Sequence, residues 1–192
     1  MTDKEQLRLS NAVKRLLPFA ISWSGVGYRS CSPKYANATD ILTGVGSQKA
    51  GGRYNPLGSF PAVYLSIEPE TAFAESFAHI RYYGFELQVA LPRTFVAVQL
   101  KLQRLLDLTN NVMLKRLKLS RRMLLLHDWR KAQDSGQEAV TQTLGKLAHD
   151  IGFEGMVVPS SAAKDGKNII YFPNALHAGS SAILLNADKL QR

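Results

Sequence analysis

The apolar positions near the N-terminus repeat with the spacing of a helix. They are Leu7, Leu9, Val13, Leu16 and Leu17. This rough stripe predicts a helix over residues 4–17, which Pro18 ends. A short strand is predicted over residues 26–30. The stretch from there to Ser59 is rich in Gly, Ser, Asn and Thr, and a loop of this length inside a domain is more often functional than idle.

After this loop, runs of strand length alternate with longer helical patterns. Pro69 suits the first turn of a helix that is predicted over residues 69–80. The other predicted helices cover residues 112–117, 122–133 and 138–151. The predicted strands cover residues 62–66, 85–91, 95–100, 155–158, 168–172 and 182–185. Strands toward both ends with helices between them predict a single α+β domain.

Length and composition narrow the class of protein further. The 192 residues suit one domain, and no run approaches the roughly 20 apolar residues that span a bilayer. Asp3 and Glu5 interrupt the N-terminus too early for a signal peptide. Cys31 is the single cysteine, and the histidines show no metal-ligand spacing. We therefore expect a cytoplasmic protein with no membrane contact and no metal site.

The net charge of +9 has two competing explanations. Lys and Arg side chains bind nucleic acid phosphates, and they equally attract smaller polyphosphates or an acidic protein partner. Much of the excess lies between Lys115 and Lys131, interleaved with leucines. The solvated face of two amphipathic helices explains this pattern, and the aromatic interleaving of a single-strand-binding surface is missing. A basic nucleic-acid-binding module stays open as one alternative function.

The sequence Gly51-Gly52-Arg53-Tyr54-Asn55-Pro56 is the first candidate for chemistry. Two glycines let a backbone approach a ligand closely, and the five donors of Arg53 suit a phosphate or pyrophosphate. A tight turn with a surface arginine is the alternative interpretation. It is not a Walker loop, because no Gly-Lys-Ser/Thr follows.

Tyr64 and Glu75 are two further candidates. Tyr64 shares one face of its strand with Ala62 and Ser66, which is compatible with a ring lining a cleft or with a core tyrosine. On the predicted helix over residues 69–80, Phe73, Phe77 and Ile80 share the apolar face. Glu75 lies nearly opposite, so periodicity predicts a solvent-facing carboxylate. A cleft is also solvent, so catalysis stays open.

Taken in order, these segments resemble the RES domain, a family named for an Arg, a Glu and a Ser. The resemblance begins at Gly27-Tyr28-Arg29 and ends at Phe172-Pro173, covering about residues 25–172. Its segments are Gly51-Gly52-Arg53-Tyr54-Asn55-Pro56, Val63-Tyr64-Leu65-Ser66, Glu70-Thr71-Ala72, Ala74-Glu75, Gly155, Pro159-Ser160 and Asn168-Ile169-Ile170-Tyr171. Tyr64 follows Arg53 by eleven positions, and Glu75 follows Tyr64 by eleven.

The resemblance implies a fold and an activity. RES proteins have a single mixed-sheet α+β domain similar to ADP-ribosylating toxins. They are typically toxins paired with a helix-turn-helix antitoxin, and they consume NAD⁺ by hydrolysis or phosphorolysis. Some members instead transfer ADP-ribose to a protein. The implied requirements are NAD⁺ as substrate, inorganic phosphate as co-substrate for phosphorolysis, and no separate cofactor.

By the same resemblance, each candidate residue acquires a role. Arg53 binds the NAD⁺ phosphates, and Arg29 is a second candidate for this role. Tyr64 packs against the nicotinamide or its ribose, and Glu75 is the catalytic carboxylate. The substrate-binding candidates from the matched segments are Arg29, Tyr54, Ser160 and Asn168. After Ser160 the sequence departs from the family pattern, because Lys164 stands where an Arg is expected.

The chain also begins differently from a minimal RES domain. Residues 1–24 are predicted to form a helical extension before a catalytic domain over residues 25–192. The roles open to this extension are to cap the fold, to form a homo-oligomer contact, or to bind the antitoxin.

Overall fold

The computed structural model describes residues 2–190, apart from the side chain of His79. Its strands are β1 (Ile21–Cys31), β2 (Val63–Ser66), β3 (Thr94–Asp107), β4 (Gly155–Pro159), β5 (Lys167–Tyr171) and β6 (Ser181–Leu184). Its helices are α1 (Asp3–Lys14), α2 (Ala38–Leu42), α3 (Val45–Ala50), α4 (Pro69–Ser76), α5 (Ala78–Tyr82), α6 (Asn111–Leu117), α7 (Arg121–Leu126), α8 (Trp129–Asp134) and α9 (Val140–Ile151).

The strands of the described residues form one sheet in the order β1-β2-β5-β4-β3-β6, and β1 also pairs with β3. The β3–β4 pairing is parallel and the others are antiparallel. The predicted α+β domain with a single mixed sheet is therefore confirmed. Because β2, β5 and β4 are neighbours, residues far apart in sequence meet at their ends: Ser66 pairs with Asn168, and Val158 also pairs with Asn168.

Alternate residues of the strands pack into two hydrophobic clusters, as the period of two requires. Met156, Val158 and Ile170 belong to the cluster that the helices cover, and Val157 and Ile169 belong to the other. Each fully buried aliphatic side chain of this kind stabilises the fold by about 1.5–3 kcal/mol. The two-sided burial of β4 and β5 holds their ends firmly, and the candidate site is built at those ends.

Helix α1 packs into the same core as the rest of the chain. Thr2 and Glu5 form a capping box at its start, and its Leu9 and Val13 are buried in the cluster that α6 and α9 also fill. β1 begins at Ile21, so the predicted boundary between residues 24 and 25 falls inside that strand.

Several predicted elements need correction. The predicted strand over residues 85–91 is wrong, because this segment is largely exposed and contains the 3-10 helix Leu87–Ala90. The predicted helix over residues 69–80 is divided into α4 and α5 at Phe77. The predicted helix over residues 122–133 is also two helices, because the Asp128 side chain accepts a hydrogen bond from the Lys131 N–H and starts α8 afresh. The loop before Ser59 contains the short helices α2 and α3.

Candidate functional site

A cavity of about 500 Å³ opens between the sheet, α4 and α8, which is a usual size for a small-molecule site. Tyr64 and Asn168 line it from strands β2 and β5, and Glu75 lines it from α4. The turn at Gly51–Gly52 and the helix α8 complete its walls. Five of the seven predicted site residues line this cavity: Arg29, Arg53, Tyr64, Glu75 and Asn168.

Glu75 is held by hydrogen bonds to one of its two carboxylate oxygens. The Ser160 hydroxyl donates to Glu75 Oε1 at 2.6 Å, and the Asn168 amide donates to the same oxygen at 2.7 Å. Among the described residues, Oε2 receives no hydrogen bond from protein. One oxygen of the carboxylate is therefore fixed, and the other is left for a ligand.

The two donors are themselves oriented by neighbours. The Ser66 hydroxyl donates to Asn168 Oδ1 at 2.8 Å, so the Asn168 amide group must turn its NH₂ toward Glu75. The Ser160 oxygen accepts the backbone N–H groups of Ala162 and Ala163, both at 3.1 Å, which leaves its hydroxyl proton for Glu75. Ser160 is buried and does not line the cavity. We therefore revise its predicted role from substrate binding to the positioning of Glu75.

Helix α4 presents Glu75 at an electrostatically unfavourable place. Glu75 is in the last turn of α4, which ends at Ser76, and the partial negative charge of a helix C-terminus repels a carboxylate. Buried Ala72 lies three residues earlier on the same face of the helix and also lines the cavity. Helix stability therefore does not explain a glutamate at this position, whereas the hydrogen bonds from β5 and Ser160 hold it there.

The Tyr64 hydroxyl locks the turn that carries Arg53. It donates to Asn55 Oδ1 at 2.7 Å and accepts the Tyr54 N–H at 3.0 Å. A Cβ atom on Gly52 would lie 2.5 Å from this hydroxyl, so only glycine fits there. Burial raises the pKa of the Tyr64 hydroxyl. Tyr64 therefore offers its ring to the cavity, while its hydroxyl is occupied.

Tyr54, a predicted substrate-binding residue, points the other way. Its side chain is 2% exposed and lies in the hydrophobic cluster beneath the helices, away from the cavity lining. Tyr64 and Asn55 hold the turn so that Arg53 and Tyr54 project to opposite sides. The expectation for Tyr54 is corrected: it is a core residue that anchors the turn.

Arg53 lines the cavity but is also bonded to backbone. Its Nη1 donates to the carbonyl oxygens of Leu124 and His127 at 2.9 and 3.1 Å. Its Nη2 lies 3.4 Å from Ser161 Oγ, one residue from the serine that holds Glu75. Arg53 therefore connects the surroundings of Glu75 to the end of α7, and part of its donor set is engaged.

Three further arginines, Arg29, Arg93 and Arg130, line the same cavity, and among the described lining residues only Glu75 carries a carboxylate. Burial lowers the pKa of Arg29, and the nearby Arg93 adds to the effect. Burial likewise lowers the pKa of Arg130, with Arg53 adding to it. Arginine stays protonated in proteins even so. Two pairs of like charges thus face one cavity, which suits a ligand carrying several negative charges.

The sequence did not single out Arg93, Ser66, Trp129 or Arg130. Arg130 and Trp129 were part of a segment interpreted as solvated basic helix, and only the start of α8 at Asp128 turns them toward the cavity. A weak signal was present in the Asp-Trp-Arg sequence, since aspartate starts helices.

The basic segment between Lys115 and Lys131 is largely amphipathic as predicted. Leu114, Leu117 and Leu124 are buried, and Lys115, Arg116 and Lys118 are exposed. Among the described residues no group of three or more His, Cys, Asp or Glu side chains is placed to hold a metal ion. In residues 2–190, no helix has both the length and the apolar character that a membrane span requires.

Comparisons with known proteins identify a family and a similar fold. A family model described as the RES domain matches residues 27–189. The fold is similar to that of a chain in the crystal structure of the M. tuberculosis MbcT–MbcA toxin–antitoxin complex, with a TM-score of 0.65 and 22% sequence identity. That similarity covers 94% of this chain and 95% of the other. A comparison with curated proteins finds no match.

Proposed function

Because the chain belongs to the RES domain family, we propose that it degrades NAD⁺ by cleaving the nicotinamide–ribose bond. The observation that carries the proposal is Glu75, held by Ser160 and Asn168 on one oxygen and free on the other. This carboxylate lies in a cavity whose other charged groups are arginines. The arrangement suits a substrate that is anionic along its length and becomes positive at one carbon as it reacts.

The chemistry requires little more than this carboxylate. When the bond breaks, its electron pair moves to the nicotinamide nitrogen and neutralises it, and positive charge develops on the ribose. The free oxygen of Glu75 stabilises that charge, and its fixed partner oxygen keeps the carboxylate from reorganising. Nicotinamide leaves as a neutral molecule, so no second carboxylate is needed as a general acid. The ring of Tyr64 packs against the departing group or its ribose.

The nucleophile is water or inorganic phosphate. Attack by water gives ADP-ribose and releases a proton, and attack by phosphate gives ADP-ribose-1″-phosphate. Four arginines are more than a pyrophosphate with two negative charges requires, which supports room for phosphate as a co-substrate. No separate cofactor enters either reaction.

The test is to incubate pure protein with NAD⁺, with and without phosphate, and to follow nicotinamide release. Release that requires phosphate, with ADP-ribose-1″-phosphate as product, selects phosphorolysis. Release that is indifferent to phosphate selects hydrolysis. Absence of nicotinamide under both conditions overturns the proposal.

An ADP-ribosyltransferase is the second candidate, because apolar side chains are exposed on and after the helix that carries Glu75. Phe73, Phe85 and Val89 are all exposed on or just after α4 and α5, and such a surface suits a protein that delivers the nucleophile. With NAD⁺ labelled in its ADP-ribose half, label retained on a protein identifies transfer. A nucleic-acid-binding module instead requires binding that weakens steeply with salt and survives Glu75→Ala.

We also propose that the protein is the toxin of a toxin–antitoxin pair and acts in the cytoplasm, where NAD⁺ is available. The similarity in fold to a chain of a toxin–antitoxin complex supports a protein partner, for which a helix-turn-helix antitoxin is the expectation from the resemblance. Growth arrest on expression that Glu75→Ala abolishes, and that a co-expressed neighbouring gene relieves, tests this role. Sedimentation of the purified chain tests whether it forms a homo-oligomer.

A further inference from the structure

The four cavity arginines differ in how the protein uses their donors. Arg29 donates to the Ile41 carbonyl, and Arg93 donates twice to Ser30. Arg53 donates to the end of α7. The Arg130 guanidinium makes no hydrogen bond and no ion pair with any of the side chains or backbone groups that the structure describes. The five N–H donors of this guanidinium are therefore open to the cavity, where a ligand can accept them.

Arg130 is nevertheless held in place. Its guanidinium lies 4.6 Å from the centre of the Trp129 ring and 4.8 Å from that of Tyr82. The Tyr82 hydroxyl donates to the Asp128 carboxylate at 2.9 Å, and Asp128 caps α8. Contact with aromatic faces orients the cation while leaving its N–H groups free at the edge. This side chain is thus preorganised for an acceptor in the cavity.

Hydrogen bonds of Arg53 also connect Glu75 to the Trp129–Arg130 pair. Glu75 is bonded to Ser160, Arg53 reaches Ser161 next to it, and the same Arg53 holds the His127 carbonyl. Trp129 and Arg130 follow His127 by two and three positions and line the cavity. Arg53 therefore connects, through its hydrogen bonds, the segment that holds Glu75 to the segment that carries Trp129 and Arg130. A dinucleotide likewise extends from the reacting ribose through a diphosphate to a second nucleoside, so a ligand held at Glu75 needs partners for both of these parts in the same cavity.

We propose that Trp129 and Arg130 form a subsite for the ADP half of the substrate, with Arg130 on the diphosphate and Trp129 stacked on the adenine. This inference rests on the proposed function for its choice of ligand. Stacking of a base on an aromatic ring and charge-assisted hydrogen bonds to phosphate are individually strong. Arg53 then acts partly as a positioning residue, since its bonds to backbone fix the segment that carries the pair.

ADP is the probe for the test, because the scissile nicotinamide–ribose bond is absent from it. The full chain is titrated with ADP by calorimetry as wild type, Arg130→Gln and Trp129→Leu. We expect each variant to bind ADP about tenfold or more weakly, and Trp129→Phe to recover most of the loss. Arg15→Gln, which removes the same charge from an exposed site on the α1 side, should bind within about twofold of wild type. Urea unfolding establishes that each variant is folded.

Fluorescence gives a second readout, since Trp23 and Trp129 are the only tryptophans in the chain. In a Trp23→Phe protein, ADP should quench the remaining emission at the concentrations that saturate the calorimetric signal. Unchanged ADP affinity in Arg130→Gln and Trp129→Leu, or no ADP binding by wild type, overturns the subsite. Expected ADP results without nicotinamide release overturn the proposed function and leave the subsite standing. Nicotinamide release by wild type, with unchanged ADP affinity in Arg130→Gln and Trp129→Leu, supports the proposed function and overturns the subsite.

Discussion

Glu75 and Glu154 are two carboxylates that the fold treats in opposite ways. Glu154 is 0% exposed, and both of its oxygens are fully engaged. Oε2 accepts the backbone N–H of Gln103 at 2.7 Å, and Oε1 accepts the His177 N–H and the Ser180 hydroxyl at 2.8 and 2.7 Å. Glu75 has the same chemical group with one oxygen engaged and the other facing the cavity.

The difference separates a structural carboxylate from a chemical one. Glu154 joins β3 to the segment before β6, and a charge so well bonded has nothing left to offer a ligand. In Glu75 the hydrogen bonds to Oε1 orient the carboxylate, and Oε2 stays available to stabilise a positive charge in the cavity. The number of uncommitted acceptor sites distinguishes the two roles more clearly than burial does.

The largest expected effect is on turnover by Glu75→Gln. The amide keeps the shape of the side chain and removes its negative charge, so nicotinamide release should fall by about 10³-fold. The free energy of unfolding in urea should stay within about 1 kcal/mol of wild type, because the side chain lies at a cavity. Residual activity within tenfold of wild type contradicts the role of the charge.

Glu154→Gln should show the opposite result. Its amide NH₂ must face backbone donors, and leaving buried donors unsatisfied costs about 1–3 kcal/mol each, so we expect a loss of about 3 kcal/mol in unfolding free energy. Activity per folded molecule should be unchanged. Glu138→Gln, at an exposed position, is the matched control. A loss of unfolding free energy below about 1 kcal/mol in Glu154→Gln would contradict the structural role of Glu154.

Asn168→Ala removes one of the two hydrogen bonds that orient Glu75 and leaves the negative charge of its carboxylate in place. Turnover should fall about 10- to 100-fold while KM for NAD⁺ changes by less than about threefold, because orientation is lost and binding is kept. Ser66→Ala, which removes the hydrogen bond that orients Asn168, should lower turnover about threefold. Equal effects on KM and on turnover indicate that Asn168 binds substrate directly.

Tyr64→Phe is expected to have a modest effect on both properties. The ring remains, while Asn55 and the Tyr54 N–H lose their partner, so stability should fall by about 1–2 kcal/mol. Turnover should fall less than tenfold, since the hydroxyl is occupied by the turn. A loss near that of Glu75→Gln assigns the hydroxyl to the chemistry instead.

The pH dependence of stability gives the smallest effect. Burial pushes the pKa of Glu154 upward, but hydrogen bonds from Ser180 and from the Gln103 and His177 N–H groups outweigh it and hold the pKa below its ordinary value of 4.5. The unfolded chain therefore binds this proton first, so the stabilisation is present above pH 4.5 and is lost as pH falls through the folded pKa. Urea unfolding below pH 5 should lose stability less steeply in Glu154→Gln. Identical slopes contradict this assignment.

The architecture was largely predictable because it depends on local patterns. The strand patterns near residues 62–66, 155–158 and 168–172 correspond to β2, β4 and β5, where alternation and two-sided burial dominate. The pattern failed over residues 85–91, where apolar residues stay exposed. Exposed apolar residues resemble a buried strand in sequence, because hydropathy does not show whether another part of the protein packs against them.

The site was less predictable because it depends on contacts between distant segments. A helical wheel over residues 69–80 placed Phe73 inside and Glu75 outside, yet Phe73 is 55% exposed. The break at Phe77 shortens the helix, and the face toward β1 and β2 is the one that carries Ala72 and Glu75. The orientations of Tyr54 and Arg130 were not predicted for a related reason. The turn that Tyr64 holds and the start of α8 at Asp128 both decide where these side chains point, and neither produces a periodic pattern of apolar residues in the sequence.

The most direct test of the central claim is to compare binding and cleavage of NAD⁺ in Glu75→Gln. We expect the variant to bind intact NAD⁺ by calorimetry with a Kd within about threefold of the wild-type KM, while releasing nicotinamide about 10³-fold more slowly. Cleavage at a rate close to that of wild type, or no cleavage by wild type itself, would contradict the account.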